Sequence, residues 1–136
     1  GSDRGWGARG VKPHCFEKLE WTGRMPFEVH ELRAASDGFV LSFTQPVDAA
    51  TALRAESYSL RAFTYVYREE YGGPEVDEVL PRLSVADVSA DGLSVRLKVE
   101  PLTRGHVHEL HLDGVRNREG QPLLHAAGYY TLNEIP

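Results

Sequence analysis

The sequence predicts an all-β fold, an antiparallel β-sandwich of about seven strands that follows an extended N-terminal arm. From residue 27 onward, short segments in which apolar and polar residues alternate recur at spacings of about 10–15 residues, a pattern typical of half-buried strands. Turn-forming pairs such as Asp37-Gly38 and Asp91-Gly92 separate these segments. Because helical periodicity is almost absent, the strands are expected to bury their apolar faces against one another.

Residues 1–26 differ from the rest of the chain. They are rich in glycine, basic residues and tryptophan, and they show no sustained alternation. We interpret them as an N-terminal arm or linker, in which Gly1-Ser2 is typical of a cloning scar, and we expect the sandwich to occupy residues 27–136.

Local signals predict the first strands and one helical turn. Alternation begins in residues 27–32 and resumes after the first turn in residues 39–43. Pro46 ends the second strand because its nitrogen cannot donate a hydrogen bond to a neighbouring strand. Asp48 is then placed to cap the free N–H groups of one helical turn over residues 48–53.

The rest of the chain supplies the remaining strands. A long strand is predicted over residues 58–67, with one face formed by Tyr58, Leu60, Ala62, Thr64 and Val66. Residues 68–81 are expected to form a polar excursion, too long for a tight hairpin. Further strands are predicted at residues 83–88, 94–99, 106–112 and 129–132, with Val95, Leu97 and Val99 pointing inward.

Composition excludes several classes of protein. Fifteen Lys and Arg against twenty Asp and Glu give a net charge of −5, whereas a nucleic-acid-binding domain normally carries a basic surface. No apolar run reaches the roughly 18–20 residues of a membrane span, and no signal peptide is recognisable. Cys15 is the only cysteine, which excludes an internal disulfide framework.

Five segments combine turn-forming residues with strand-like alternation, at residues 43–48, 57–60, 88–95, 102–115 and 120–123. In this order they resemble the bacterial immunoglobulin-like domains of surface-layer and secreted multidomain proteins, over roughly residues 27–133. The arm and residues 129–133 also resemble an accessory domain that follows sugar-dehydrogenase-like β-propellers or cytochromes in exported proteins. The resemblance implies an immunoglobulin-like, non-catalytic accessory or interaction module of a larger exported bacterial protein, in a secreted or periplasmic setting.

Aromatic side chains form the strongest candidate for a binding surface. Phe63, Tyr65 and Tyr67 alternate along one predicted strand face, and Arg68 and Tyr71 follow in the excursion. Tyrosine and arginine are enriched at protein–protein contacts, and rows of rings also stack on sugars. The stripe therefore predicts docking of a neighbouring domain or partner protein, or binding of a glycan, unless the arm or the excursion covers it.

Histidines offer a weaker candidate, for a metal. His106 and His108 share one face of a predicted strand, so copper or zinc could be held with a third ligand from His30, His125 or a carboxylate. The same face carries leucines, which favours a structural role. We therefore expect no cofactor, and we expect the ring of His108 to bond to the backbone, where domains of this type usually carry a tyrosine.

Catalytic groups are not evident in the sequence. A nucleophilic Cys15 lacks an orienting partner at a recognisable spacing, and the carboxylates of residues 69–78 lie in a stretch typical of a solvated loop. The sequence therefore predicts that this chain is not itself an enzyme, whatever the activity of its parent protein.

Overall fold

Eight strands form two antiparallel four-stranded sheets in the computed structural model, which describes residues 16–136. The strands are β1 (Val29–Ala35), β2 (Gly38–Phe43), β3 (Ser59–Tyr65), β4 (Glu75–Val79), β5 (Arg82–Val88), β6 (Ser94–Glu100), β7 (His106–His111) and β8 (Ala127–Leu132). The first sheet has the order β1-β2-β6-β5, and the second has the order β4-β3-β7-β8. The predicted all-β sandwich is confirmed, with one more strand than expected.

The additional strand is β4, within the segment expected to be an excursion. It pairs with β3, with Val76 opposite Thr64 and Val79 opposite Ala62. Over this stretch β4 therefore has one residue more than β3. Asp77 takes up the extra residue in a left-handed conformation, with φ of 56°. This bulge, together with the acidic side chains of β4, hides the strand from a search for regular alternation.

The strand predicted over residues 58–67 is shorter than expected. β3 ends at Tyr65, so Val66 and Tyr67 lie beyond the sheet. Val66 is about half exposed. Tyr67 therefore does not continue the strand face that begins with Phe63, and the predicted single aromatic stripe is wrong in its geometry.

The core lies between the two sheets. Val95, Leu97 and Val99 of β6 point into it as predicted, and they pack with apolar side chains of both sheets, among them Phe39, Leu41, Phe43, Leu60, Leu110 and Leu112. The ring of Phe27 stacks on that of Phe43, with centroids 5.8 Å apart. This contact ties the chain immediately before β1 to the core.

Local caps hold the connection between β2 and β3. The single helical turn α1 (Ala49–Ala52) begins after Asp48, whose Oδ2 accepts a hydrogen bond from the Thr51 N–H at 3.0 Å, as the sequence predicted. That hydrogen bond lowers the pKa of Asp48. Tyr58 then donates its hydroxyl to the Ala52 carbonyl at 2.8 Å, so α1 is fixed to the start of β3.

Residues 16–26 contain no strand, and they contact the sandwich near its start. The carbonyls of Met25 and Pro26 accept hydrogen bonds from Gln45 and Thr44, each at 2.6 Å. The division into an arm and a sandwich at residue 26 remains a prediction. Among residues 16–136, no helix has the length and apolarity needed to cross a bilayer.

Candidate functional site

The outer face of the second sheet carries a network of charged side chains, here called the Arg61 cluster (Arg61, Glu75, Glu78, Glu109, His111 and Tyr129). Arg61 extends from the middle of β3. Its guanidinium lies 2.5 Å from Glu75, 3.2 Å from Glu78 and 2.5 Å from Glu109. Hydrogen bonds to these carboxylates, Glu75 first, raise the pKa of Arg61, so its charge is permanent.

Glu109 is the most buried member of the Arg61 cluster, with 8% of its surface exposed. Nε2 of His111 lies 2.9 Å from its Oε1, and the Tyr129 hydroxyl donates to the same oxygen at 3.3 Å. The contact with His111, followed by the one with Arg61, lowers the pKa of Glu109. The negative charge of Glu109 in turn raises the pKa of Tyr129.

Phe63 supports this face from below. It is 2% exposed, with the Arg61 guanidinium 4.4 Å above its ring centre and the edge of Tyr65 at 5.5 Å. A partner on the surface therefore cannot touch the Phe63 ring directly, which corrects its expected role as a contact residue.

Three tyrosines at the end of β3 form the exposed part of the predicted stripe, and we call them the tyrosine patch (Tyr65, Tyr67 and Tyr71). Tyr65 is 51% exposed, and Tyr67 and Tyr71 are fully exposed. Arg68 donates two hydrogen bonds to the Gly72 carbonyl, at 3.2 and 2.8 Å, which closes the loop between them. A shallow groove of about 270 Å³ runs between Tyr65, Tyr67 and this loop.

The expected internal cover is not found in the described part of the arm. Trp21 is 70% exposed, and Phe16 and Leu19 are almost wholly exposed. Trp6, which belongs to the same arm, and Cys15, the nucleophile considered in the sequence analysis, lie outside the described residues. Within residues 16–136, the tyrosine patch is thus open to solvent.

The two candidate metal ligands of β7 lie in different environments. His106 is held between Arg104 and Asp77, since Nδ1 is 3.2 Å from the Arg104 carbonyl and Nε2 is 3.2 Å from both the carbonyl and the carboxylate of Asp77. His108 is 1% exposed and packs edge-on against Phe39 between the sheets, with centroids 5.3 Å apart.

Neither ring nitrogen of His108 has a hydrogen-bond partner among the described residues. Burial lowers the pKa of His108, which favours the neutral ring in the folded protein. Backbone groups at His106 and Tyr130 nevertheless interact with the ring and act to raise its pKa, so the expected bond to the backbone stays a prediction. His125 is engaged elsewhere, with Nδ1 2.5 Å from Glu28, and nowhere in residues 16–136 do three or more His, Cys, Asp or Glu gather as metal ligands.

A separate groove lies on the other sheet. It is an open groove of about 590 Å³ at the ends of β5 and β6, lined by Asp37, Arg82, Leu83, Ser84, Lys98, Val99 and Glu100. Its charged groups form surface ion pairs, such as Arg82 with Glu100 at 3.1 Å. Such pairs contribute little to stability.

Sequence reasoning missed the Arg61 cluster as a unit. Alternation places Arg61, Glu109 and His111 on outward faces of their strands. The pairing of Arg61 directly opposite Glu109 depends on the β3–β7 register, which one sequence does not reveal.

No family model and no curated protein matches the chain. Solved structures of a bacterial surface-layer protein do share its fold. The N-terminal part of the S-layer protein SbsC aligns with a TM-score of 0.58 and 24% identity, covering 80% of this chain and 24% of that one. Domains 1–6 of SbsC and the longer rSbsC(31-844) each align with a TM-score of 0.57 and 24% identity, covering 80% of this chain and 14% of theirs. The likeness establishes a common sandwich fold, and this chain spans less than a quarter of each of those chains.

Proposed function

We propose that this chain is a non-catalytic, immunoglobulin-like accessory module of a larger exported bacterial protein. The observation that carries the proposal is its similarity to one domain-sized part of much longer surface-layer chains. As one domain among others in a long chain, this module would connect or present its neighbours. The same comparison supports a secreted or periplasmic location, which is part of the proposal.

The strand orders support the immunoglobulin-like assignment. When the strands are lettered along the chain, β1, β2, β6 and β5 correspond to A, B, E and D, and β3, β7 and β8 correspond to C, F and G. These orders match the two sheets of a constant-type immunoglobulin sandwich, with β4 as one additional strand beside C. We also propose the narrower relationship, in which this module follows a β-propeller or a cytochrome. That proposal concerns the rest of the parent chain.

Docking of a neighbouring domain or partner protein is proposed to use the tyrosine patch together with Arg68. Tyr67 and Tyr71 present whole rings to solvent, and Tyr65 rests against the buried Phe63 ring. Tyrosine loses little conformational entropy on binding and offers both apolar and hydrogen-bonding contacts, so it is favoured at protein interfaces. Phe63 would hold the patch in place from beneath.

A glycan is the second candidate for the same patch. The groove beside Tyr65 and Tyr67 is also lined by Arg68 and Glu70, which supply hydrogen-bonding groups next to aromatic rings. Rings that stack on sugar faces and polar groups at their edges are the usual chemistry of carbohydrate recognition.

The test uses the domain that adjoins this module in its parent gene. Its affinity for this chain, measured by isothermal titration calorimetry, is expected to fall at least about tenfold in Tyr67→Ala and Tyr71→Ala. Leu124→Ala, which truncates an exposed apolar side chain of the β7–β8 connection, is the matched control and should bind normally. Thermal melting should be unchanged in all three variants.

Two results would redirect the proposal. If both tyrosine variants bind the neighbouring domain as the unaltered chain does, the patch is not its docking surface. If the chain instead binds a glycan on an array and loses that binding in Tyr67→Ala, the carbohydrate alternative replaces the protein partner.

A further inference from the structure

Each sheet of a sandwich ends in two edge strands, whose outer N–H and C=O groups are open to pairing with another chain. Here the edge strands are β1 and β5 in the first sheet and β4 and β8 in the second. β1 and β5 carry charged side chains, and β4 carries three acidic residues and the bulge at Asp77. Such features protect an edge against pairing. β8 reads Ala-Gly-Tyr-Tyr-Thr-Leu, with no charge and no proline.

The hydrogen bonds at both ends of β8 show which of its backbone groups are open. The carbonyls of Leu132 and Ala126 accept hydrogen bonds from Gly105 and Leu112, on the β7 side, at 2.7 and 2.8 Å. Backbone groups in a strand alternate in direction, so those of the intervening odd-numbered residues point away from β7. These residues are Ala127, Tyr129 and Thr131, all exposed. None of their outward groups is bonded within the described part of the chain.

We propose that β8 pairs with β8 of a second copy of this chain, antiparallel, about a two-fold axis at Tyr129. In this register the two Tyr129 residues face each other, and Ala127 of each copy faces Thr131 of the other. All three outward positions then exchange N–H···O=C bonds, which gives six in total. The two four-stranded sheets become one continuous sheet of eight strands.

Charge explains why a second copy fits the β8 edge and not the β4 edge of the same sheet. Antiparallel self-pairing of β4 would bring the carboxylates of Glu75, Asp77 and Glu78 opposite those of the copy, which is destabilising. β8 brings no like charges together, and the paired Tyr129 rings add a favourable cross-strand contact. Leu32 of β1 packs beneath Gly128, 3.6 Å from where a Cβ would lie, so the inner side of the edge is already filled.

The expected association is weak. One strand pair of six residues buries less than the roughly 1,200 Å² of a stable interface, so the dimer should form at high concentration or when copies are held close together. The surface involved differs from the tyrosine patch. Failure of this proposal would therefore leave the proposed docking function intact, and the reverse also holds.

Cysteine cross-linking tests the register directly, in a Cys15→Ser background that removes the natural thiol. In Tyr129→Cys the two cysteines would face each other as a hydrogen-bonded pair, with Cα atoms about 5.5 Å apart, within disulfide range. In the matched Thr131→Cys, each cysteine would lie four residues from its copy, roughly 14 Å along the strand. We expect disulfide-linked dimer to form at least about tenfold faster in Tyr129→Cys. Equal rates in the two variants, or no dimer in either, would overturn the proposal.

Sedimentation equilibrium of the unaltered chain under reducing conditions supplies the second measurement. The dimer dissociation constant is expected to rise at least about tenfold in Thr131→Pro, because proline removes an outward N–H that makes no bond to β7. Thr131→Val retains this N–H and should associate normally. A monomeric mass for the unaltered chain up to millimolar concentration would contradict the proposal, whether or not the proline variant folds.

Discussion

His108 and Glu109 are neighbours in β7, and both are largely hidden from solvent, yet their surroundings are opposite. Glu109 lies on the outer face, where Arg61, His111 and Tyr129 surround its carboxylate. His108 lies on the inner face, where Phe39 packs against its ring and no described group bonds to either nitrogen. The comparison shows that the outer face of this sheet is built for charge, whereas the inner face serves packing alone.

The largest effect is expected from removing the packing around His108. Phe39 is 1% exposed and contacts both His108 and Tyr130, with ring centroids 5.3 and 5.5 Å away. Phe39→Ala should lower the free energy of unfolding by about 3–5 kcal/mol, because a cavity replaces these contacts. Urea denaturation measures this, and a loss comparable to that of an exposed substitution would contradict the packing role.

A smaller but clear loss of stability is expected when the outer network is broken. Arg61→Ala removes the cation between three carboxylates and the cover of Phe63, leaving Glu109 buried beside other acids. The matched control is Arg82→Ala, whose ion pair with Glu100 is exposed on both sides. The urea midpoint should fall several times further in Arg61→Ala than in the control. Equal shifts would mean that the cluster is an ordinary surface feature.

His108 and Glu109 are also expected to make the stability of the protein depend on pH, each in its own pH range. The pKa of His108 is lowered in the folded state, so below its unfolded value near 6.5 the unfolded chain binds more protons and stability falls with decreasing pH. The pKa of Glu109 is lowered too, so its contribution is present above about 4.5 and is lost as the pH falls further.

The variant His108→Leu isolates the part of this pH dependence that comes from His108. At pH 7.5 this variant should be as stable as the unaltered chain or about 1 kcal/mol more stable, because an unpaired buried polar group is removed. Between pH 6.5 and 5.5 its loss of stability should be smaller, by up to about 1.4 kcal/mol per pH unit for this one group. His30→Leu, at an exposed position of β1, controls for the loss of a histidine. Identical pH profiles for His108→Leu and the unaltered chain would rule out the buried neutral ring.

The smallest effect is expected from Tyr129→Phe, which deletes the longest contact to Glu109, at 3.3 Å, and leaves those of Arg61 and His111 in place. The melting temperature should be unchanged within error. A marked loss would show that Tyr129 has a larger share in holding Glu109 than its distance suggests.

Sequence patterns were sufficient for the architecture because they act locally. The alternation of Val95, Leu97 and Val99 and the cap at Asp48 require no knowledge of distant residues. The missed features depend on partners across the fold. β4 is recognisable as a strand only from its irregular pairing with β3. The burial of Phe63 depends on Arg61 and Tyr65, which pack over its ring. Alternation correctly placed His108 inside, but it could not show which groups would surround its ring.

Nuclear magnetic resonance titration of the imidazole and carboxyl groups tests the contrast between the two faces of β7 most directly. We expect the pKa of His108 to lie below 6.5, or the protein to unfold before His108 is protonated, and we expect the pKa of Glu109 to lie below 4.5. Equimolar zinc should leave the His108 signals unmoved. If His108 titrated at or above 6.5, or if zinc shifted its resonances, the inner face would hold a polar or metal-binding group, and the account would be contradicted.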